Sequence, residues 1–364
     1  MDDHDTSTEL DPDRLKFFTF SVFTQLSGAV TAGMIHLGDK LGIYTALANA
    51  SGPLSTAELA GATDLDERWV REWAYNQAAA KLIGVDTATE RFFLTPEQVA
   101  VLAMPDHPAF GMGMFHRLPQ TMASLEAMPE SFRTGVGHDY DSHGPEGAVG
   151  IERSFEPWNR HHLIPVVLPE LDGLIERLES GISVADIGCG AGGAMLLLAA
   201  RFPNSTFVGY DISQFALERA ESRRVEDGAD NVRFVDPRDE PLPSDHSVDL
   251  VTTFDCIHDM TDPIGMIRSI RGALADDGTW LLVDIKARDS FADNVAKNPM
   301  AALMYGISVL ACMSSAMSSP DGAGLGTLGL PARRAASIAA EAGFGDFRQL
   351  DIEHSINAFY QVRP

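Results

Sequence analysis

From residue 182 onward the chain alternates strand-like and helix-like segments, and this alternation constrains the fold more than any other feature. ISVADIG reads as a strand and GGAMLLLAARF as a helix; STFVGYDIS, VRFVD, SVDLVTTFD and TWLLVDI read as further strands. SQFALERAESRRV and DPIGMIRSIRGALADDG are the predicted helices between them, the second capped by Asp262, opened by Pro263 and stopped at Gly278. Such alternation gives a parallel sheet covered by helices on both faces. A helix, PARRAASIAAEAG, and two strands, FRQLDIE and INAFYQVR, close the chain. The link between those two strands is short, so one of them is expected to be antiparallel.

The first strand runs into VADIGCGAGGA, where two glycine spacings overlap. Gly188, Gly190 and Gly193 satisfy G-x-G-x-x-G, a dinucleotide fingerprint, whereas Asp186, Gly188, Gly190 and Gly192 satisfy D-x-G-x-G-x-G. In a doubly wound sheet the ligand lies beyond the carboxyl ends of the strands. A carboxylate at Asp186 would repel a pyrophosphate there and attract a cation. S-adenosylmethionine (SAM) carries an ammonium and a sulfonium and no phosphate. Asp211 closes the second strand, where an acid accepts both ribose hydroxyl protons, and Ile212 would flank the adenine. The expected cofactor is therefore SAM, with S-adenosylhomocysteine as product; Gly188, Cys189 and Gly190 form its loop.

Residues 14–105 read as helical with one hairpin. RLKFFTFSVFTQLSGAVTAGMIHLGDKLGIYTAL is too apolar to stand in water as an isolated helix. STAEL offers a capping box, Ser55 with Glu58, and Asp64 is the predicted cap of the next helix, whose Val70, Trp73, Ala74 and Ala78 share a face. KLIGVDTATERFFLT reads as two strands about a polar turn, completing a winged helix. Residues 106–180 form a connecting region and 181–364 the sheet domain.

Charge and composition narrow the function. The 364-residue chain carries a formal charge of −25, which disfavours nucleic acid, because neutralising phosphates needs clustered Lys and Arg. Cys189, Cys256 and Cys312 are far apart with no C-x-x-C spacing, which suits a reducing cytoplasm and argues against structural zinc; no metal is expected. The acidic start MDDHDTSTELDPDR lacks the apolar stretch of a signal peptide. MAALMYGISVLACM is short and interrupted, more like a buried helix than a membrane span, so no membrane is expected.

With these motifs in hand, the sequence resembles the class I SAM-dependent methyltransferases, and within them those with an N-terminal winged-helix domain, a layout shared with dimeric small-molecule O-methyltransferases. VADIGCGAGG and GYDIS carry the wider resemblance; FDCIHDMTDP, GTWLLVD and GAGLGTLG point to an actinobacterial-type subgroup. The resemblance implies a Rossmann-like seven-stranded sheet and a homodimer formed through the N-terminal helices. It also implies that Phe254 and Asp255 face the cofactor. One departure stands out. The family pattern F-x-x-x-D, whose acid meets the adenine amine, has Arg238 where the acid belongs after Phe234; Asp239 or a nearby backbone amide are the expected substitutes.

In the plant-type enzymes this region resembles, a His-Asp pair after the fourth strand supplies the base. His258 and Asp259 occupy that place. An imidazole titrates near neutrality and can take a proton from a phenol, although a histidine here also suits plain packing beneath the cofactor. GHDYDSHG and FEPWNRHHL bring Tyr140, Trp158, His161 and His162 to the connecting region, where they suit either a planar acceptor or packing. Met304 in the methionine-rich stretch suits a pocket wall or a core helix. The expectation is O-methylation of a small, largely apolar or aromatic acceptor. Its rivals are N- or C-methylation by positioning alone and a SAM-sensing winged-helix regulator.

Overall fold

The computed structural model describes residues 9–364, so most of the acidic stretch read above as lacking a signal peptide lies outside the described residues. The chain divides into two compact units, Met1–Leu118 and Pro119–Pro364.

The first unit opens with α1 (Pro12–Lys40), whose N-cap Asp11 accepts hydrogen bonds from the backbone amides of Asp13 and Arg14. After α2 (Ile43–Asn49) comes α3 (Thr56–Thr63), started by the expected Ser55–Glu58 capping box. Asp64 does not cap the next helix. It ends α3 in a left-handed conformation (φ 54°), and Asp66 caps α4 (Glu67–Ala79) by accepting from the amides of Arg68 and Trp69. A short polar side chain tolerates either role, and the two-residue offset decides which carboxylate faces the free amides of α4. Strands β1 (Gly84–Asp86) and β2 (Arg91–Phe93) form an antiparallel hairpin, and Leu54 bridges to Phe92. Tyr44 meets Trp73 edge-on at 5.2 Å, and its hydroxyl donates to Gln77 Oε1 at 2.5 Å, so the polar end of a buried ring is satisfied inside the core.

Along α1, Leu15, Phe17, Phe18, Phe20, Phe23, Leu26 and Val30 are exposed, in a helix whose charged residues lie near its two ends. It is long and apolar enough to cross a membrane by length and composition, a property read above only, and rejected, for residues 300–313.

The second unit holds a seven-stranded sheet in the order β5-β4-β3-β6-β7-β9-β8. Its strands are β3 (Ser183–Ile187), β4 (Thr206–Tyr210), β5 (Val232–Val235), β6 (Val248–Phe254), β7 (Leu274–Ile285), β8 (Asp346–Gln349) and β9 (Asn357–Arg363). β3 to β7 pair in parallel, and β9 runs antiparallel to both β7 and β8. The helix capped by Asp262 ends at Ala273 rather than Gly278, because β7 already begins at Leu274. The sheet is buried on both faces, one cluster including Leu163, Met195, Phe207 and Phe359, the other Val251, Ile267, Trp280 and Tyr360. The strand order reverses between β3 and β6, which places a crevice at their carboxyl ends. The stretch read as one buried helix breaks at Ala311 into Ala301–Leu310 and Cys312–Ala316, with Leu303 and Tyr305 exposed.

Candidate active site

The loop leaving β3 is drawn tight by its own amides. Gly188 and Cys189 both donate to the Tyr210 carbonyl at the end of β4, at 2.8 and 3.0 Å. Gly188 (φ 71°) and Gly192 (φ 75°) hold left-handed conformations in places where a side chain has no room. A Cβ on Gly188 would lie 2.6 Å from that of Cys256, and one on Gly192 would meet the Phe234 ring at 2.4 Å. Gly190, between them, has open space at the same position.

Two acids face this loop. Asp211 Oδ2 accepts from the Gly190 amide and Oδ1 from the Ser213 amide, both at 2.8 Å. Asp186 is 1% exposed, and its Oδ1 accepts from the Thr252 hydroxyl at 2.6 Å. Burial pushes Asp186 up to about 7; the Thr252 hydrogen bond opposes this and the nearby Asp211 charge adds to it. Asp211 is raised as well, by burial first, against the pull of the Ser213 and Gly190 amides. Desolvated carboxyls beside each other suit a ligand that brings positive charge and hydroxyl donors, and they oppose a diphosphate. The residues present therefore fit SAM.

The end of β6 carries the second half of the site. Phe254 packs against the core cluster of one sheet face. Asp255 has a left-handed backbone (φ 50°), donates its amide to the Val283 carbonyl and accepts from Asn357 Nδ2 at 2.5 Å. Burial raises its carboxyl, the Asp284 charge adds to the shift, and His258 opposes it. The Cys256 thiol donates to the Ile187 carbonyl at 3.0 Å, stitching the turn to β3. His258, 2% exposed, follows in the 3-10 turn Ile257–Asp259. Its carbonyl accepts from the Gly326 amide, so the glycine-rich GAGLGTLG segment backs the turn.

The partner of the imidazole is Asp284, not Asp259. His258 Nδ1 lies 2.7 Å from Asp284 Oδ1, while Asp284 Oδ2 is buried with no hydrogen-bond partner. Side chains adjacent in a tight turn diverge, whereas β7 runs parallel to β6 and ends beside it. Burial alone would push the ring down; the charge and hydrogen bond of Asp284, with a hydrogen bond to Cys312, outweigh it and hold His258 well above its ordinary value.

The remaining expectations divide. Arg238 pairs with Asp236 at 2.5 Å and donates to the Ile212 carbonyl at 2.8 Å, which brings its guanidinium to the loop after β4; Ile212 and Asp239 are both exposed. Trp158 stacks on His162 (4.8 Å between centroids) and meets His354 edge-on and Phe359 tilted, so these rings pack on one another over β9. His354 is pushed down to about 4, chiefly by burial. His161 is exposed, Met304 is half-buried, and Tyr140 lies edge-on to His143 at 6.0 Å. Thr252, Asp284, Asn357 and Asp141 were not marked as site residues in the sequence, and Cys312 was read only for its spacing, not as a neighbour of His258. The register of a parallel sheet could have found Asp284, because TWLLVD ends level with the start of FDCIHD.

Residues 178–323 match the family model described as a methyltransferase domain, and residues 29–104 match the Rv2258c-like winged HTH domain. Among solved structures, the mitomycin 7-O-methyltransferase MmcR superposes with a TM-score of 0.68 at 17% identity, covering 97% of this chain and 99% of that one. Human N-acetylserotonin methyltransferase, in complex with SAM, gives 0.65 at 16%, covering 98% and 99%. The uncharacterised methyltransferase YcgJ of Bacillus subtilis is 35% identical over 102 residues, 28% of this chain and 40% of that protein. The polyketide synthase ThaQ of Burkholderia thailandensis is 33% identical over 115 residues, 31% of this chain and 5% of that one. The chain thus spans less than half the length of both curated relatives.

Sheet, glycine loop and domain match together mark residues 178–323 as a methyltransferase domain whose loop fits SAM. The chain's particular layout is a methyltransferase domain preceded by an Rv2258c-like winged HTH domain, in the fold that MmcR also has.

Proposed function

We propose that this enzyme methylates a hydroxyl oxygen on a small, largely apolar or aromatic acceptor, with His258 as general base. One observation carries this reading: a buried imidazole is hydrogen-bonded at 2.7 Å to a carboxylate on the neighbouring parallel strand, beside the glycine loop. Asp284 holds Nδ1, and the other ring nitrogen exchanges its Cys312 contact for the acceptor hydroxyl to receive the proton, while the carboxylate stabilises the imidazolium that results. Bound SAM supplies an activated methyl group. Asp186 and Asp211, with the Gly188–Gly190 loop, hold the cofactor; Phe254, Asp255, Ile212 and Arg238 border it.

Residues 14–105 are assigned to dimerisation, 106–180 to lining the acceptor pocket with Tyr140, Trp158, His161 and His162, and 181–364 to cofactor binding. Met304 is assigned to the same pocket. The exposed apolar face of α1 supports a homodimer, and the three free, widely spaced cysteines support a cytoplasmic location.

Transfer of labelled methyl from SAM to a panel of hydroxyarenes, using the enzyme and its H258A variant, tests the reading. O-Methyl transfer should fall about 100-fold or more in the variant. Full activity there would favour the second reading, N- or C-methylation by positioning alone, which the near-complete burial of His258 supports. The regulator reading is disfavoured by Asp64, Asp66, Glu67 and Glu72, which outnumber Arg68 and Arg71 on and before α4. SAM-dependent retardation of genomic DNA fragments at low salt would restore it.

A further inference from the structure

The loop after β5 leaves the adenosine end of the site short of an acid. Arg238 stands where the family pattern has a carboxylate, and its guanidinium is committed to Asp236 and to the Ile212 carbonyl. Asp239 is exposed. A different element brings a carboxylate to the same place. The 3-10 turn Tyr140–His143, capped by Asp139 through the Ser142 amide, presents Asp141, whose Oδ2 accepts from the Gln214 amide at 3.1 Å. Gln214 lies three residues beyond Asp211, and Arg238 holds the carbonyl of Ile212, the first of the two residues between them. Asp141 and Arg238 therefore clamp the same short loop.

The other oxygen of Asp141, Oδ1, is buried and has no hydrogen-bond partner. An unsatisfied buried acceptor is costly, and this one lies within electrostatic reach of both Asp211 and Arg238. The turn is not loosely held. The Gly137 amide donates to the Met317 carbonyl at 2.8 Å, and the His138 amide to Ser314 Oγ at 2.9 Å. A fixed turn that keeps an unsatisfied carboxylate oxygen beside the ribose-binding acid has the character of a ligand contact.

We propose that Asp141 binds the cofactor, its Oδ1 accepting a hydrogen bond from a donor on the adenosine half and so replacing the acid missing after β5. The donor is the adenine amine or a ribose hydroxyl, which offer the same chemistry to a carboxylate. The inference rests on the cofactor reading above and adds a residue to it from outside the sheet.

Calorimetric titration of S-adenosylhomocysteine into the full-length protein tests it. D141N keeps the size of the side chain and an oxygen for the Gln214 amide but turns a second donor toward the cofactor, and should weaken binding tenfold or more. D139N removes a neighbouring negative charge but keeps the cap and leaves the proposed contact untouched, and should stay within about twofold of the parent protein. S-Inosylhomocysteine, which lacks the amine, locates the donor. If D141N costs nothing further with this analogue, the amine is the partner; if the two losses multiply, a ribose hydroxyl is. Wild-type affinity in a folded D141N protein, or equal losses in D139N and D141N, would overturn the proposal. A parent protein that binds no S-adenosylhomocysteine would instead bring down the cofactor reading itself.

Discussion

Asp284 and His258 meet at 2.7 Å across the ends of two neighbouring parallel strands, and both are almost wholly buried. The pair holds the imidazole well above its ordinary value, so the ring favours its protonated form near neutrality. A general base acts when unprotonated. Methyl transfer should therefore rise with pH through the raised value of His258 and level off above it. D284N removes the carboxylate charge, so the rising limb should move to lower pH while the plateau drops about tenfold or more. The shift also bears on stability. A histidine raised on folding contributes fully below its unfolded value, about 6.5, and loses that contribution as pH climbs through the folded one. A pH–rate profile of both proteins checks the prediction, and an unmoved limb in D284N would remove Asp284 from the mechanism.

Asp186 makes cofactor affinity depend on pH in a defined direction. Without ligand its carboxyl is raised to about 7, mainly by burial, so between about pH 4 and 7 the folded protein binds a proton that the unfolded chain does not, and stability declines as pH rises across that range. A cationic ligand favours the carboxylate. SAM should therefore bind more tightly as pH rises from 6 to 8, releasing a proton at the lower end of that range. Titration calorimetry in buffers of different ionisation enthalpy measures both effects. Affinity that stays flat over this interval, or equals that of D186N, would mean that the carboxyl does not meet the cation.

The sheet was legible because strand and helix alternate with the periods that a parallel α/β domain requires, and the glycine loop marks where its first strand ends. The companion of His258 was not. Sequence adjacency suggested Asp259, whereas the partner lies on β7, 26 residues away, where only strand register brings it near. The cap of α4 failed for a local reason. Asp64 and Asp66 are equally good caps by composition, and the left-handed turn at Asp64 became visible only in the fold. Trp158 and His162 illustrate a third kind of ambiguity: their spacing did not reveal that they stack on each other and that Trp158 meets His354 edge-on, an arrangement compatible with a pocket wall.

Two glycines of the loop, either side of Cys189, should separate folding from binding. At Gly188 an added Cβ meets Cys256 in a left-handed backbone, so G188A should cost on the order of 2–4 kcal/mol and lower the melting temperature clearly. At Gly190 (φ 55°) the same atom meets open space, so G190A should cost only about 1–2 kcal/mol of backbone strain while filling the volume next to the cofactor loop. Thermal denaturation with and without S-adenosylhomocysteine distinguishes them. G190A should keep most of its stability and lose most of the stabilisation conferred by ligand. Normal ligand stabilisation in G190A would place the cofactor elsewhere.

The apolar face of α1 makes the last prediction. Phe17, Phe20 and Phe23 are each more than 60% exposed, on a helix that also has the length and composition of a membrane span. A water-facing stripe of this kind calls for a partner. The acidic cap at Asp11 and the three hydroxyls of Thr19, Ser21 and Thr24, each bonded back to a carbonyl one turn earlier, are compatible with a helix–helix contact. A second copy of the chain is the expected occupant. Sedimentation equilibrium should give a dimer for the parent protein, and F20E/F23E should shift it to monomer while the second unit still binds S-adenosylhomocysteine. A parent protein that sediments as a monomer, or floats with neutral phospholipid vesicles through this helix, would replace the dimer with a bilayer contact.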